Sequence, residues 1–129
     1  MKELREAEFW LESAKNLFKK DISDREKYTV VVAQLVHSII RANDALTQKF
    51  LGKTAIRHDE AMGLFLELAR ANKIPAKYSD LRKTVLIPAI KIKSKVDYHG
   101  FDISKNETEK WIVLAERFLD AVRDSLSPL

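Results

Sequence analysis

The feature that most limits this chain is the segment from Ser23 to Gly52, which holds no glycine or proline before its last residue and repeats apolar side chains at helical spacing. At about 100° per residue, Leu35, Ile39 and Leu46 fall at the centre of one arc, which Val32, Val36, Ile40 and Phe50 broaden. An arc that wide belongs to a central helix covered by neighbours on several sides. Ser23 followed by Glu26 is a capping-box pattern that would start this helix, and Gly52 would stop it.

The flanking segments share the helical period, so the expected fold class is all-α. A first helix is expected from about Lys2 to Lys19, with Leu4, Ala7, Leu11, Ala14 and Phe18 on one stripe and Trp10 and Leu17 widening it. A third is expected over residues 59 to 71, with Asp59 as its cap, Glu60 in its first turn, and Ala61, Leu64, Phe65 and Leu68 inward. A fourth, from about Lys77, sets Leu81, Val85, Ala89, Ile92 and Val96 in register, and Pro88 is expected to kink or interrupt it. Ser104 and Glu107 repeat the capping box before a last helix that buries Trp111, Leu114, Ala115, Phe118, Val122 and Leu126. Short joints favour antiparallel neighbours, which gives an antiparallel four- to five-helix up-and-down bundle forming one domain over residues 1 to 129.

Without a cysteine, the chain has no disulfide, no thiolate catalysis and no cysteine-based zinc site. The three histidines stand far apart, so neither a metal nor a cofactor is expected. The opening residues carry acids throughout and no long apolar run, so a signal peptide or membrane span is not expected and the chain is read as cytoplasmic. Charge is the uneven property. Residues 70 to 95 hold Arg70, Lys73, Lys77, Arg82, Lys83, Lys91, Lys93 and Lys95 against Asp80 alone, eight against one or +7, within a chain whose net charge is +4. Such a surface attracts phosphate; it can equally be a solvated helix face.

Two groups of residues stand out as sites. At the end of helix four, "KIKSKVDYHG" brings Lys91, Lys93, Lys95, Asp97, Tyr98 and His99 together, with Lys95 and His99 on one face if the helix persists. Lysines can hold a phosphate, and an imidazole can move a proton near neutral pH; cations there also cap the helix dipole. On helix two, His37, Arg41, Asp44 and Gln48 form a stripe in which Arg41 can pair with Asp44; the stripe reads as solvated, with Arg41 and Asp44 kept beside Asn43 as candidates for an interface or buried polar position. Asn43 falls inside the apolar arc, where its amide is either a tie between helices or a group facing a polar pocket or subunit interface. Together with the Val30 to Val32 run, it makes a homodimer the expected assembly.

The order of a charged amphipathic helix, "AQLVHSIIRANDALTQKFLG", "RHDEAMGLFLEL", "KSKVDYHG" and "SKNETEKWIVLAERFLDAVRDSL" resembles the HEPN superfamily of small helical domains across nearly the whole chain. The resemblance implies an antiparallel four- or five-helix bundle that dimerises. Many members are ribonucleases or toxins, often encoded beside a nucleotidyltransferase antitoxin, and others are taken to bind nucleotides. The family's ribonuclease motif is an arginine followed four to six residues later by a histidine, completed across the dimer. His99 matches the histidine, but Lys93 stands six residues before it and Ser94 five before, while Asp97 and Tyr98 match the "DY" of non-toxin members. A lysine does not reproduce the two-pronged guanidinium clamp on phosphate. The resemblance therefore implies a dimeric module that binds a nucleotide or RNA phosphate, or pairs with a nucleotidyltransferase, with its catalytic motif degraded. The alternatives are a metal-independent endoribonuclease using His99 with Lys93 or Lys95, and a structural dimer without a specific ligand.

Overall fold

The computed structural model describes residues 1–98 and 102–127, with only the backbone of Asp97 and Tyr98 included. Among these residues are five α-helices and no strand: α1 (Lys2–Lys19), α2 (Glu26–Leu51), α3 (His58–Arg70), α4 (Ile87–Tyr98) and α5 (Lys105–Leu126). The chain is a helical bundle. Its organiser is α2, which packs against each of the other four helices. The broad apolar arc explains this, since Val32, Leu35, Val36, Ile39 and Leu46 are all buried, as is Val31 beside them. One hydrophobic cluster joins them to Ala7, Leu11 and Ala14 of α1, Phe65 and Leu68 of α3, Ala89 of α4, and Ala115, Phe118, Leu119 and Val122 of α5.

The helix ends follow local chemistry, though not always the expected residue. Ser104 caps α5 by accepting the Glu107 backbone N–H at 3.1 Å. Ser23 does not cap α2: the helix begins at Glu26 after a turn in which Lys27 and Tyr28 donate to the carbonyls of Asp24 and Arg25, so the backbone itself fills the first N–H groups. Asp59 likewise lies inside the first turn of α3, beyond its start at His58, where its charge still suits the helix dipole. Gly52 ends α2 with φ 71°, a left-handed conformation in which a side chain would be strained. At the end of α3, Asn72 takes the same region at φ 57°, and the N–H groups of Lys73 and Asn72 bond the carbonyls of Leu68 and Ala69 at 3.0 and 3.2 Å. These two bonds are those of a Schellman stop.

Pro88 interrupts the regular hydrogen bonding without breaking the helix. The turn before α4, Arg82–Leu86, is π-helical, with the Ile87 N–H reaching back to Arg82. Pro88 has no N–H and its ring crowds the carbonyl four residues back, so a widened turn just before it lets the chain continue. Leu81, Val85, Leu86 and Ala89 are buried along this run, which seats α4 on the core.

Candidate functional site

Because the inner side of the 81–98 run is held by those apolar residues, Lys91 and Lys95 are turned outward, one helical turn apart and exposed. Lys93 is half-buried and engaged with a neighbour, and so is differently placed. Asp97 and Tyr98 close α4 in backbone position. His99 lies outside the described residues, so the expected Lys95–His99 face is defined here by its lysine alone.

The remaining cations of residues 70 to 95 divide in two. Arg82 is a structural tie, donating through Nε to the Met62 carbonyl at 2.9 Å, and Lys77 lies 3.7 Å from Asp124. Arg70, Lys73, Lys83, Lys91 and Lys95 have no carboxylate within 4 Å among the described residues. Elsewhere Lys15 pairs with Glu116 at 3.0 Å and Arg123 bridges Glu8 and Asp120, whereas Lys2 and Lys19 of α1 and Lys105, Lys110 and Arg117 of α5 have no carboxylate within 4 Å among the described residues. Unpaired cations are therefore not confined to α4; what sets residues 70 to 95 apart is that Asp80 is the one acid among eight cations. Five open cations can attract and hold phosphate as point charges, but without the fork geometry of an arginine clamp.

Arg41, Asp44 and Asn43 belong elsewhere, toward α1 and α3. Arg41 donates to Glu6 at 2.8 Å and to Asp44 at 3.1 Å. The expected solvated stripe on α2 is corrected here: Asp44 is buried, Arg41 and His37 are half-buried, and only Gln48 is exposed, because α1 packs over that side. Burial pushes the Asp44 carboxyl above the usual aspartate value, against the pull of Arg41, whereas the Arg41 hydrogen bond holds Glu6 below the usual glutamate value. The signs are opposite. Asp44 favours the fold most when protonated and less as pH rises through its raised value; Glu6 favours it when ionised and loses that contribution as pH falls.

Asn43 is fully buried, with Nδ2 directed at the Ala61 carbonyl at 3.5 Å and Oδ1 lacking any partner. Within one chain it is a loose tie between α2 and α3.

The same side of the molecule holds a feature that apolar periodicity alone did not disclose. Across the α1–α2 seam, Glu6 meets Arg41, the Trp10 and His37 rings stack at 5.0 Å, and the Gln34 amide donates to Ser13 at 3.0 Å. Numbers rise along α1 as they fall along α2, and both sets are spaced four and then three apart. Trp10, expected on the buried stripe, is 40% exposed on the outside of this seam, as is its neighbour Phe9 at 58%. Mixed polar and aromatic residues at matched helical spacing were the available sequence signal.

Among the described residues no group of His, Asp and Glu is arranged to hold a metal, and no helix is long and apolar enough to cross a membrane. No protein-family model matches the chain, and no curated protein is significantly similar to it.

Proposed function

We propose that this chain is a HEPN-like module: an antiparallel helical bundle, homodimeric, that binds the phosphates of a nucleotide or of RNA through the outer face of α4. In this reading it is a binding partner of a nucleotidyltransferase in a toxin–antitoxin-like pair, with the nuclease motif degraded. The observation that carries the binding reading is the pair Lys91 and Lys95, exposed one turn apart and unneutralised in a region of +7. The dimer, the nucleotidyltransferase partner and the degraded motif are supported by the resemblance in the quoted segments.

The test is the salt dependence of binding. Single-stranded RNA should bind with log affinity falling linearly in log salt, by about 0.7 per phosphate neutralised. Replacing both Lys91 and Lys95 by Gln removes two such contacts, so the slope should become shallower by about 1.4, while stability changes by less than about 0.5 kcal/mol. Salt-insensitive binding, or none at low salt, would refute the phosphate reading. In the same preparation, RNA incubated with chelator should remain essentially uncut, and Lys93→Arg is the substitution best able to raise cleavage, since it restores a fork of donors. Robust wild-type cleavage that disappears in His99→Ala would show an enzyme instead.

A further inference from the structure

We infer that the phosphate-binding face of α4 carries a third lysine, Lys83, which the π turn before the helix brings into line with Lys91 and Lys95, and that this row takes the backbone of single-stranded RNA rather than a lone nucleotide. The inference rests on the phosphate reading of α4 and gives it a length and a ligand class.

In an unbroken α-helix each residue turns about 100°, so Lys83, Lys91 and Lys95 would point to about 0°, 80° and 120° around the axis. They would follow the spiral away from one another. Arg82–Leu86 is not α-helical, however: the Ile87 N–H bonds the Arg82 carbonyl, five residues back. The rotation that an α-helix completes in four residues is spread there over five, at about 80° each. With that turn included, Lys83 and Lys91 point in about the same direction, and Lys95 lies about 40° from them.

Burial supports this geometry independently. The π turn also sets Leu81, Val85 and Ala89 within about 20° of the direction opposite Lys91, and these three are 5%, 0% and 0% exposed. In a regular helix Leu81 would instead stand about 80° from Lys91, on the flank, where its burial has no explanation. The three lysines are all exposed, and none has a carboxylate within 4 Å among the described residues. Pro88 supplies the cause of the distortion, so the turn that lets the chain continue past the proline also straightens the cations into a row.

The length of the row selects the ligand. Lys91 and Lys95 are roughly 6 Å apart along the axis, whereas Lys83 and Lys95 are roughly 17 Å apart. A single phosphate can engage neighbouring lysines but not both ends, while successive phosphates of one strand can engage all three. Point charges that meet only phosphates hold a strand without reading its bases, so binding should be indifferent to sequence.

The test uses the full chain, an eight-nucleotide oligouridylate and uridine monophosphate, with affinity measured against salt. Three contacts at about 0.7 each give the oligomer a log–log slope of about −2 with the wild type, and Lys83→Gln should make it shallower by about 0.7. Lys83→Gln combined with Thr84→Lys keeps the net charge but moves it about 80° off the row at an exposed position, and should be as shallow as Lys83→Gln alone. Lys73→Gln, which removes an exposed cation outside α4, should leave the wild-type slope. The monophosphate should show a smaller slope that Lys83→Gln does not change. A Lys83→Gln protein with the wild-type slope, a charge swap that restores it, or a monophosphate slope as steep as the oligomer's would overturn the row and leave the phosphate reading standing on Lys91 and Lys95. Oligomer binding without salt dependence would overturn both.

Discussion

Asn43→Asp is expected to destabilise the protein by about 3–5 kcal/mol at neutral pH, whereas Asn43→Leu should change stability by no more than about 1 kcal/mol. The asymmetry follows from what surrounds the amide. Asn43 is fully buried on the apolar arc of α2, its one donor contact to Ala61 is long at 3.5 Å, and its Oδ1 has no partner. Removing the amide gives up little and also removes a buried acceptor that is already unsatisfied. Introducing a carboxylate there places a charge on the buried apolar arc and turns it toward the Ala61 carbonyl, itself an acceptor. The penalty should depend on pH in a definite sense. Burial raises the folded-state pKa of such a carboxyl above the unfolded value near 3.9, so the variant loses nothing extra below about pH 4 and loses about 1.4 kcal/mol per pH unit above it, until the raised value is reached. Denaturant titrations of the three proteins at acid and neutral pH measure this. If Asn43→Leu proves as damaging as Asn43→Asp, the amide does more than its long bond to Ala61 accounts for, and the tie between α2 and α3 is a firm one.

The fold was legible where apolar spacing is long and regular. The arc of α2 announced a central helix, and α2 does touch every other helix. The Ser104 cap was legible because a hydroxyl three residues before a glutamate has one inexpensive use at a helix start. The identical pattern at Ser23 failed because a backbone turn through Asp24 and Arg25 competes for the same N–H groups, a choice made by geometry that a motif does not contain. Pro88 was legible as a disturbance but not as a π turn, since the form of the accommodation depends on Val85, Leu86 and Ala89 all staying buried across it.

The polar residues were harder to place, for a physical reason. A charged residue has an acceptable home either in water or against an opposite charge, so Arg41 and Asp44 read equally well as solvated until Glu6 is known to face them. Trp10 misled in the opposite direction: a large ring counts as core in any periodic reading, yet here it stacks on His37 at the surface. At the end of α4, Lys91 and Lys95 are outward because Leu86 and Ala89 are inward, and this part of the site follows from helical period alone. The catalytic question depends on His99, which lies outside the described residues.

Phe118→Ala should cost about 3–5 kcal/mol, the range for emptying a buried aromatic site that does not collapse. Phe118 is 1% exposed and packs against Phe65 of α3, ring centroids 6.1 Å apart. Around the pair, Leu46, Ile74, Leu81 and Val122 leave no room for a water molecule. These residues come from α2, α5 and the segment between α3 and α4, so a void here loosens the contacts of several elements and no single neighbour can fill it. The phenylalanine is far in kind from the lysine surface, and the two can be separated experimentally. Phe118→Ala should lower the denaturation midpoint sharply yet, at temperatures where the variant remains folded, bind RNA with the same salt slope as the wild type. Lys91→Gln with Lys95→Gln should do the reverse. A Phe118→Ala protein that loses less than about 1 kcal/mol would mean that α5 can slide to close the gap, and that the bundle is held less firmly at this point than its packing indicates.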